Sequence, residues 1–275
     1  MTAECSNSRF ASQGTPRPAH RSSGRRPAAP QRRDPAPARD HPPPRQGDDE
    51  SPCRRFLYPC PAPQGLAFTP GPKAGAPSEE TRWGADEILR YADGTEIWPP
   101  EYYPVQTLTV HHTDDGSSDP DPAAVVRAIY RNDTVGKGYG DIGYHFLIDR
   151  NGLVYEGRWS GTDGTAAHDS AGRLVTGAHV QGYNTGNIGI ALLGTLTTTP
   201  PSSVARTALV QLLADLAARH ALAPTGKVLY LNPVSGVSRA ASVIGGHRNW
   251  ADTDCPGTVF TDLPAIRREA AAIVL

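Results

Sequence analysis

The 275-residue sequence is poor in cysteine, with 4, and in aromatic residues, at 7%. It also contains no run of about 18 consecutive apolar residues, which excludes a transmembrane helix. The amino-terminal MTAECSNSRFASQG lacks the apolar stretch of a secretory signal. Arg54-Arg55-Phe56-Leu57 has the outline of a twin-arginine signal, but the YPCPAPQGLAFTPGP that follows is too broken by proline to form its hydrophobic region. No export signal is therefore recognisable. Three of the cysteines, Cys5, Cys53 and Cys60, fall in the first 80 residues, where a Cys53–Cys60 bridge has no disulfide framework around it. The rest of the chain has Cys255 alone, and a lone cysteine is by default a small buried hydrophobe.

What is abundant is proline and glycine, and the proline is unevenly spread. Residues 1–80 hold 16 of the 27 prolines, with 12 basic and 8 acidic residues; the remaining 195 residues carry 15 basic and 20 acidic. The spacing of apolar residues follows the same division. Residues 1–79 read as a Pro/Arg-rich disordered arm, without enough apolar surface to recover the entropy of ordering. The arm's positive charge suits nucleic acid or an anionic surface, but it has few interleaved aromatics and no recognisable module, so a solvated linker is the expectation and no nucleic-acid partner is assigned. Residues 80–275 are long enough to bury a core without covalent staples.

From Trp83 the pattern becomes that of an α/β domain. Thr107-Leu108-Thr109-Val110 is a short strand that ends in His111-His112. Asp119-Pro120-Asp121-Pro122 supplies caps and a helix-start proline, after which Val125, Val126, Ile129 and Tyr130 recur at helical spacing. Tyr144–Ile148 and Leu153–Glu156 flank Asn151-Gly152, a strong hairpin signal. Residues 157–176, rich in Gly, Ser, Thr and Asp, read as a long surface loop. Asn187–Leu193 is nearly continuous in apolar residues, as expected of a strand covered on both faces. Ser202-Ser203 caps a helix that stops before Pro224, and a turn-rich stretch leads to Val243–Gly246 and His247. Thr261 or Asp262 starts a final helix. The expected architecture is a mixed central β-sheet flanked by helices, without internal repeats.

Two polar features bracket this domain: His111-His112 at a strand end, and His247-Arg-Asn-Trp-Ala-Asp-Thr-Asp-Cys255-Pro256 after a later strand. Two imidazoles and one thiolate provide Zn²⁺ with three ligands and leave a fourth position for water, the pattern of a catalytic rather than a structural site. From spacing alone, His112 at the surface and Cys255 as core packing remain equally open readings.

VHHT at 110–113, DIGYHFLIDRNGLVYEGR at 141–158, GAHVQGYN at 177–184, NIGIALLG at 187–194 and GHRNWADTDCPG at 246–257 occur in this order. Together they resemble the peptidoglycan recognition protein and type-2 N-acetylmuramoyl-L-alanine amidase family, zinc hydrolases that include phage lysozymes. RWGADE at 82–87 and LPAIR at 263–267 resemble the actinobacterial branch. The resemblance spans roughly residues 80–275 and implies that family's α/β fold. It implies His111, His247 and Cys255 as zinc ligands, with His112 turned to the opposite strand face. Tyr144 falls on the family's catalytic tyrosine and Thr253 on a second catalytic position. His179, Tyr139, Tyr183 and Asn184 fall along the substrate groove, with a role in satisfying its own loop equally open for His179 and a turn role equally open for Asn184. Gly138-Tyr139 stands where many members carry Gly-Trp, a pair associated with diaminopimelate stems, and this chain departs there. Asp252 and Asp254 read as loop caps. His145 alternates with Tyr144 and is expected to face away, and His168 and His220 are expected to be solvated. The implied activity is zinc-dependent hydrolysis of the amide between N-acetylmuramic acid and L-alanine, by a monomer acting on peptidoglycan or muropeptides outside the cell or in the wall. The alternative is a peptidoglycan-binding module with little or no turnover. Family members that only bind have typically lost the cysteine ligand.

Overall fold

A computed structural model describes residues 83–116, 120–161 and 165–274. The arm at 1–79, its cysteines and Arg82 lie outside the described residues. In chain order the strands are β1 (Tyr91–Ala92), β2 (Thr95–Glu96), β3 (Tyr102–Tyr103), β4 (Thr107–His112), β5 (Phe146–Ile148), β6 (Val154–Glu156), β7 (Leu174–Val175), β8 (Asn187–Leu192), β9 (Lys227–Leu231), β10 (Ser238–Ser242) and β11 (Ile244–Gly246). The α-helices are α1 (Pro122–Arg131), α2 (Ser203–Arg219) and α3 (Val259–Val274).

Five strands form the central sheet in the order β11-β4-β8-β5-β6. The first four run parallel, and β6 returns antiparallel to β5 at one edge. β4 and β8 are buried along their whole length. The near-continuous apolar run of β8 matches this, because strands covered on both faces have no side to present to water, whereas β4 also buries the polar Thr107, Thr109, His111 and His112. On one face Leu108, Val110, Phe146, Ile148, Ile188 and Ile190 pack with Leu209, Leu212 and Leu213 of α2 and Leu263 and Ile266 of α3. On the other, Leu147 and Ala191 pack with Val125, Val126 and Tyr130 of α1 and with Trp83. The result is three layers, α2/α3, sheet and α1.

The sequence signals account for the starts of α1 and α2 and for the β5–β6 turn. Asp121 caps α1 by accepting the Ala124 N–H at 3.2 Å, with Pro122 at the first helical position. Ser202 caps α2 by accepting the Ala205 N–H at 3.1 Å. In the β5–β6 hairpin, Gly152 takes a φ of 82°, and the Asp149 carboxylate accepts the N–H groups of Asn151 and Leu153.

Three segments differ from expectation. Residues 157–176 do not form a surface loop: Arg158, Ser160, Ala167 and His168 are buried, and β7 pairs with β3. Polar anchors make this burial tolerable, since the Glu156 carboxylate accepts the Ala167 N–H at 2.9 Å. The turn-rich stretch contains the β9–β10 hairpin. Its period-2 signal is absent because Leu229 and Leu231 occupy the outward face, 69% and 50% exposed. Finally, α3 starts at Val259, ahead of Thr261, and carries Pro264 within it.

The segment at 157–176 is held by a buried ion pair. Arg158 is fully buried and donates to Asp141 at 2.7 Å, to the Trp98 carbonyl at 2.7 Å and to the Thr176 carbonyl at 3.3 Å. Burial pushes the Asp141 carboxyl up, and Arg158 and the N–H groups of Trp159 and Ile142 oppose it. Removing one partner strands a buried charge, which costs about 3–5 kcal/mol. Arg158→Met is therefore expected to lower stability by that amount in denaturant unfolding, and an unchanged midpoint would show that the pair contributes nothing.

Candidate metal centre

The centre stands at the carboxyl ends of the parallel strands, where an open α/β sheet leaves its crevice. In register, His111 of β4 lies beside Ala191, which lies beside Leu147. All three share the α1 face of the sheet. His112 takes the other face, where its Nδ1 accepts the Leu196 N–H at 2.9 Å. Gly246 of β11 pairs with Val110, so His247, one residue on, arrives level with His111. The two imidazole centroids are 4.6 Å apart.

Cys255 is brought back by the loop after His247. The Arg248 N–H donates to the Cys255 carbonyl at 3.0 Å, and its guanidinium donates to the Thr253 and Asp254 carbonyls at 3.0 and 2.9 Å. Trp250 anchors the loop to the sheet by donating from Nε1 to Thr109 Oγ1 at 2.8 Å. The chain then leaves beneath the strand end, where a Cβ on Gly246 would meet Pro256 and Phe260 at 2.9 Å. This close approach requires glycine.

His111, His247 and Cys255 consequently present ligand atoms that all lie within 4.8 Å of one another. Hydrogen-bond direction identifies the atom His111 offers. His179 Nε2 lies 2.9 Å from the Asn187 carbonyl, which can only accept, so this nitrogen carries the proton. His179 Nδ1 is then the acceptor for His111 Nε2–H at 3.0 Å. His111 Nδ1 is left with its lone pair, 3.7 Å from Cys255 Sγ. The His112 N–H donates to that sulfur at 3.3 Å, which favours the thiolate. Burial lowers the pKa of His111 well below the ordinary imidazole value, and burial lowers His247 to about 4. Both rings are neutral at pH 7. Two bare imidazole nitrogens and a sulfur supported by an N–H form a donor set that fits Zn²⁺. His179 supports one ligand from behind, as groups around metal-binding histidines commonly do.

Tyr144 is half-buried with its ring centroid 5.2 Å from that of His111. Thr253 Oγ1 accepts the Cys255 N–H at 3.2 Å. Asp254 pairs with Arg248 at 3.1 Å. A cavity of about 350 Å³ is walled by Trp98, Tyr139, Thr176, Asn184, Thr185 and Asn232, and by Gly177 and Ala178 leading into His179. Tyr139 and Asn184 thus stand on the cavity wall, and Asn184 also accepts the N–H groups of His179 and Val180. Tyr183 packs instead on Trp250 and Tyr230, at 5.1 and 5.7 Å between centroids. His179, only 8% exposed, faces His111. His145 is fully buried; its Nδ1 accepts the Gly189 N–H and its Nε2 donates to the Val175 carbonyl. Trp98 and Asn232 were not apparent from sequence. Both reach the cavity from segments without a motif, IWPPEYYP and the β9–β10 turn.

The chain is similar to known peptidoglycan amidases and recognition proteins. The human N-acetylmuramoyl-L-alanine amidase is 31% identical over 168 residues, which are 58% of this chain and 24% of the human protein. Peptidoglycan-recognition protein SC2 of Drosophila melanogaster is 33% identical over 153 residues, 54% of this chain and 66% of that protein. The chain therefore spans about a quarter and about two thirds of the lengths of these relatives. In fold, it superimposes on the crystal structure of Drosophila peptidoglycan recognition protein SD with a TM-score of 0.50 at 22% identity, over 73% of this chain and 94% of the other. The family profile described as N-acetylmuramoyl-L-alanine amidase matches residues 101–258, a span that contains all three convergent side chains. The chain belongs to the Amidase_2 family of N-acetylmuramoyl-L-alanine amidases.

Proposed function

We propose that residues 80–275 form a zinc-dependent N-acetylmuramoyl-L-alanine amidase domain that hydrolyses the amide between N-acetylmuramic acid and L-alanine in peptidoglycan. The observation that carries this reading is the convergence of His111, His247 and Cys255 beside Tyr144. A domain that only binds cell-wall fragments has no need of a thiolate ligand; the presence of Cys255 favours turnover over binding alone. Zinc held by these three side chains supplies Lewis acidity, lowering the pKa of water to about 7 and polarising a carbonyl.

The chain's own groups do the rest. Asn187, through His179, holds His111 in the tautomer that presents Nδ1. Tyr144 donates its phenolic proton in a hydrogen bond to the oxygen on which negative charge develops, the role of an oxyanion-hole donor. Thr253 orders the turn at Cys255 and offers a second polar contact to the reacting groups. The cavity walled by Trp98, Tyr139, Asn184 and Asn232 takes the stem peptide or the adjoining sugar, with aromatic faces and amides but no charged side chain among its lining residues. The substrate lies outside the cytoplasm, and we place the site of action in the cell wall or beyond it. We assign muropeptides as the ligand class.

Digestion of purified peptidoglycan with and without a chelator, read by mass spectrometry, tests the assignment. Free stem peptides beginning at L-alanine are expected only without chelator, and products cut in the glycan or within the stem would overturn it. Cys255→Ala is expected to lose both zinc and stem release; retained activity would remove the metal from the reaction. Tyr144→Phe is expected to keep zinc and to lower kcat by about 10²–10³-fold, the scale of one oxyanion donor. Equal kcat in the two forms would take Tyr144 out of the chemistry. His179→Phe keeps a planar ring against Gly189 but cannot accept from His111, so zinc affinity in chelator competition should fall about 10–100-fold. An unchanged affinity would reduce His179 to packing.

A further inference from the structure

Away from the centre, the structure pairs two histidines that the sequence suggested were solvated. His168 lies in the segment before β7 and is fully buried, and His220 is the residue that ends α2 and is partly exposed. Their Nε2 atoms are 2.9 Å apart, with centroids separated by 4.9 Å and planes inclined at 27°. His168 Nδ1 lies 2.7 Å from the Ala166 carbonyl, which can only accept, so the proton is on Nδ1 and Nε2 is bare. His220 Nε2–H then donates to it. Burial lowers the pKa of His220 to about 4, aided by His168 and Arg219, so that ring too is neutral at pH 7.

We propose that His168 and His220 form a second divalent-metal site, binding a Zn²⁺-class ion through both Nε2 atoms with water completing its coordination. Three features point this way. A backbone carbonyl sets the His168 tautomer and aims its bare nitrogen at the second ring, the arrangement that metal-binding histidines commonly have. The two Nε2 atoms already face one another: tetrahedral zinc with metal–nitrogen distances of about 2.0–2.1 Å holds ligand nitrogens about 3.3–3.4 Å apart, so the rings need to part by only about 0.5 Å from their hydrogen-bonded spacing. The two rings come from separate elements, so an ion between them ties the 165–173 segment to the end of α2. Binding needs no net loss of a proton, because His220 can transfer its ring proton from Nε2 to Nδ1. Imidazole pairs suit zinc, copper and nickel rather than calcium or magnesium. With two protein ligands and one partly exposed ring, the site is exchangeable. It is also positional: the segment it ties leads through β7 to Thr176, Gly177 and Ala178 on the cavity wall.

The test is equilibrium dialysis of the full chain against excess free Zn²⁺, comparing wild type, His220→Asn, Cys255→Ala and the double variant. His220→Asn is expected to bind one equivalent less than wild type while keeping amidase activity. The double variant is expected to bind one equivalent less than Cys255→Ala. Equal stoichiometry within each pair overturns the site, whatever the outcome for activity. A second measurement needs no substitution at either histidine. Zn²⁺ titration of the Cys255→Ala chain should move the Nε2 resonances of His168 and His220 together in long-range ¹H–¹⁵N spectra. Resonances that stay fixed at saturating Zn²⁺ would leave the pair as a hydrogen bond and refute the proposal.

Discussion

The parallel pairing of β11 with β4 is the constraint on which the centre depends. These strands are separated by more than 130 residues of chain, yet the match of Gly246 with Val110 places His247 beside His111. A shift of one residue would turn one ring to the opposite face, because side chains alternate along a strand. The register is held on both sides of the junction. β4 pairs with β8 along six residues, and Arg267 of α3 donates to the Ile244 carbonyl at 2.7 Å. The two imidazoles are therefore positioned by the backbone of the most buried part of the sheet, where packing permits little adjustment.

Cys255 is positioned differently, by a loop. Arg248 gathers the carbonyls of Thr253, Asp254 and Cys255, and Trp250 fixes the loop to Thr109. An exposed arginine thus does for this turn what a strand does for the histidines. It satisfies backbone acceptors that would otherwise face water or burial without partners. The same economy appears behind His111, where one buried carbonyl at Asn187 determines the protonation of His179 and, through it, which nitrogen of His111 is bare. Geometry and tautomer are settled together.

Much of this was legible beforehand. The hydrophobic pattern located β4, β8, α1 and α2, and the capping residues Asp121 and Ser202 marked their helix starts. The order of five motifs pointed to the family and to His111, His247 and Cys255. Less legible were the parts whose pattern is locally ambiguous. β9–β10 carries exposed leucines, so alternation could not reveal it, and the 157–176 segment looks like a surface loop because it is held by the Asp141–Arg158 pair and by a few scattered apolar residues, Ala167, Leu174 and Val175, that set up no periodicity. His179 read as a groove residue, because its sequence neighbourhood says nothing about its contact with His111.

By itself, then, the sequence determined the class of fold, the family and the types of donor atom available. Those follow from local periodicity, capping chemistry and the presence of residues able to ligate a metal. The tertiary structure decided which donors meet, which nitrogen His111 offers, that Trp98 and Asn232 share a cavity with Tyr139 and Asn184, and that His168 touches His220. Each of these is a contact between residues distant in the chain. Such contacts are specified by strand register and by the directions of buried hydrogen bonds, and neither is written in any one segment.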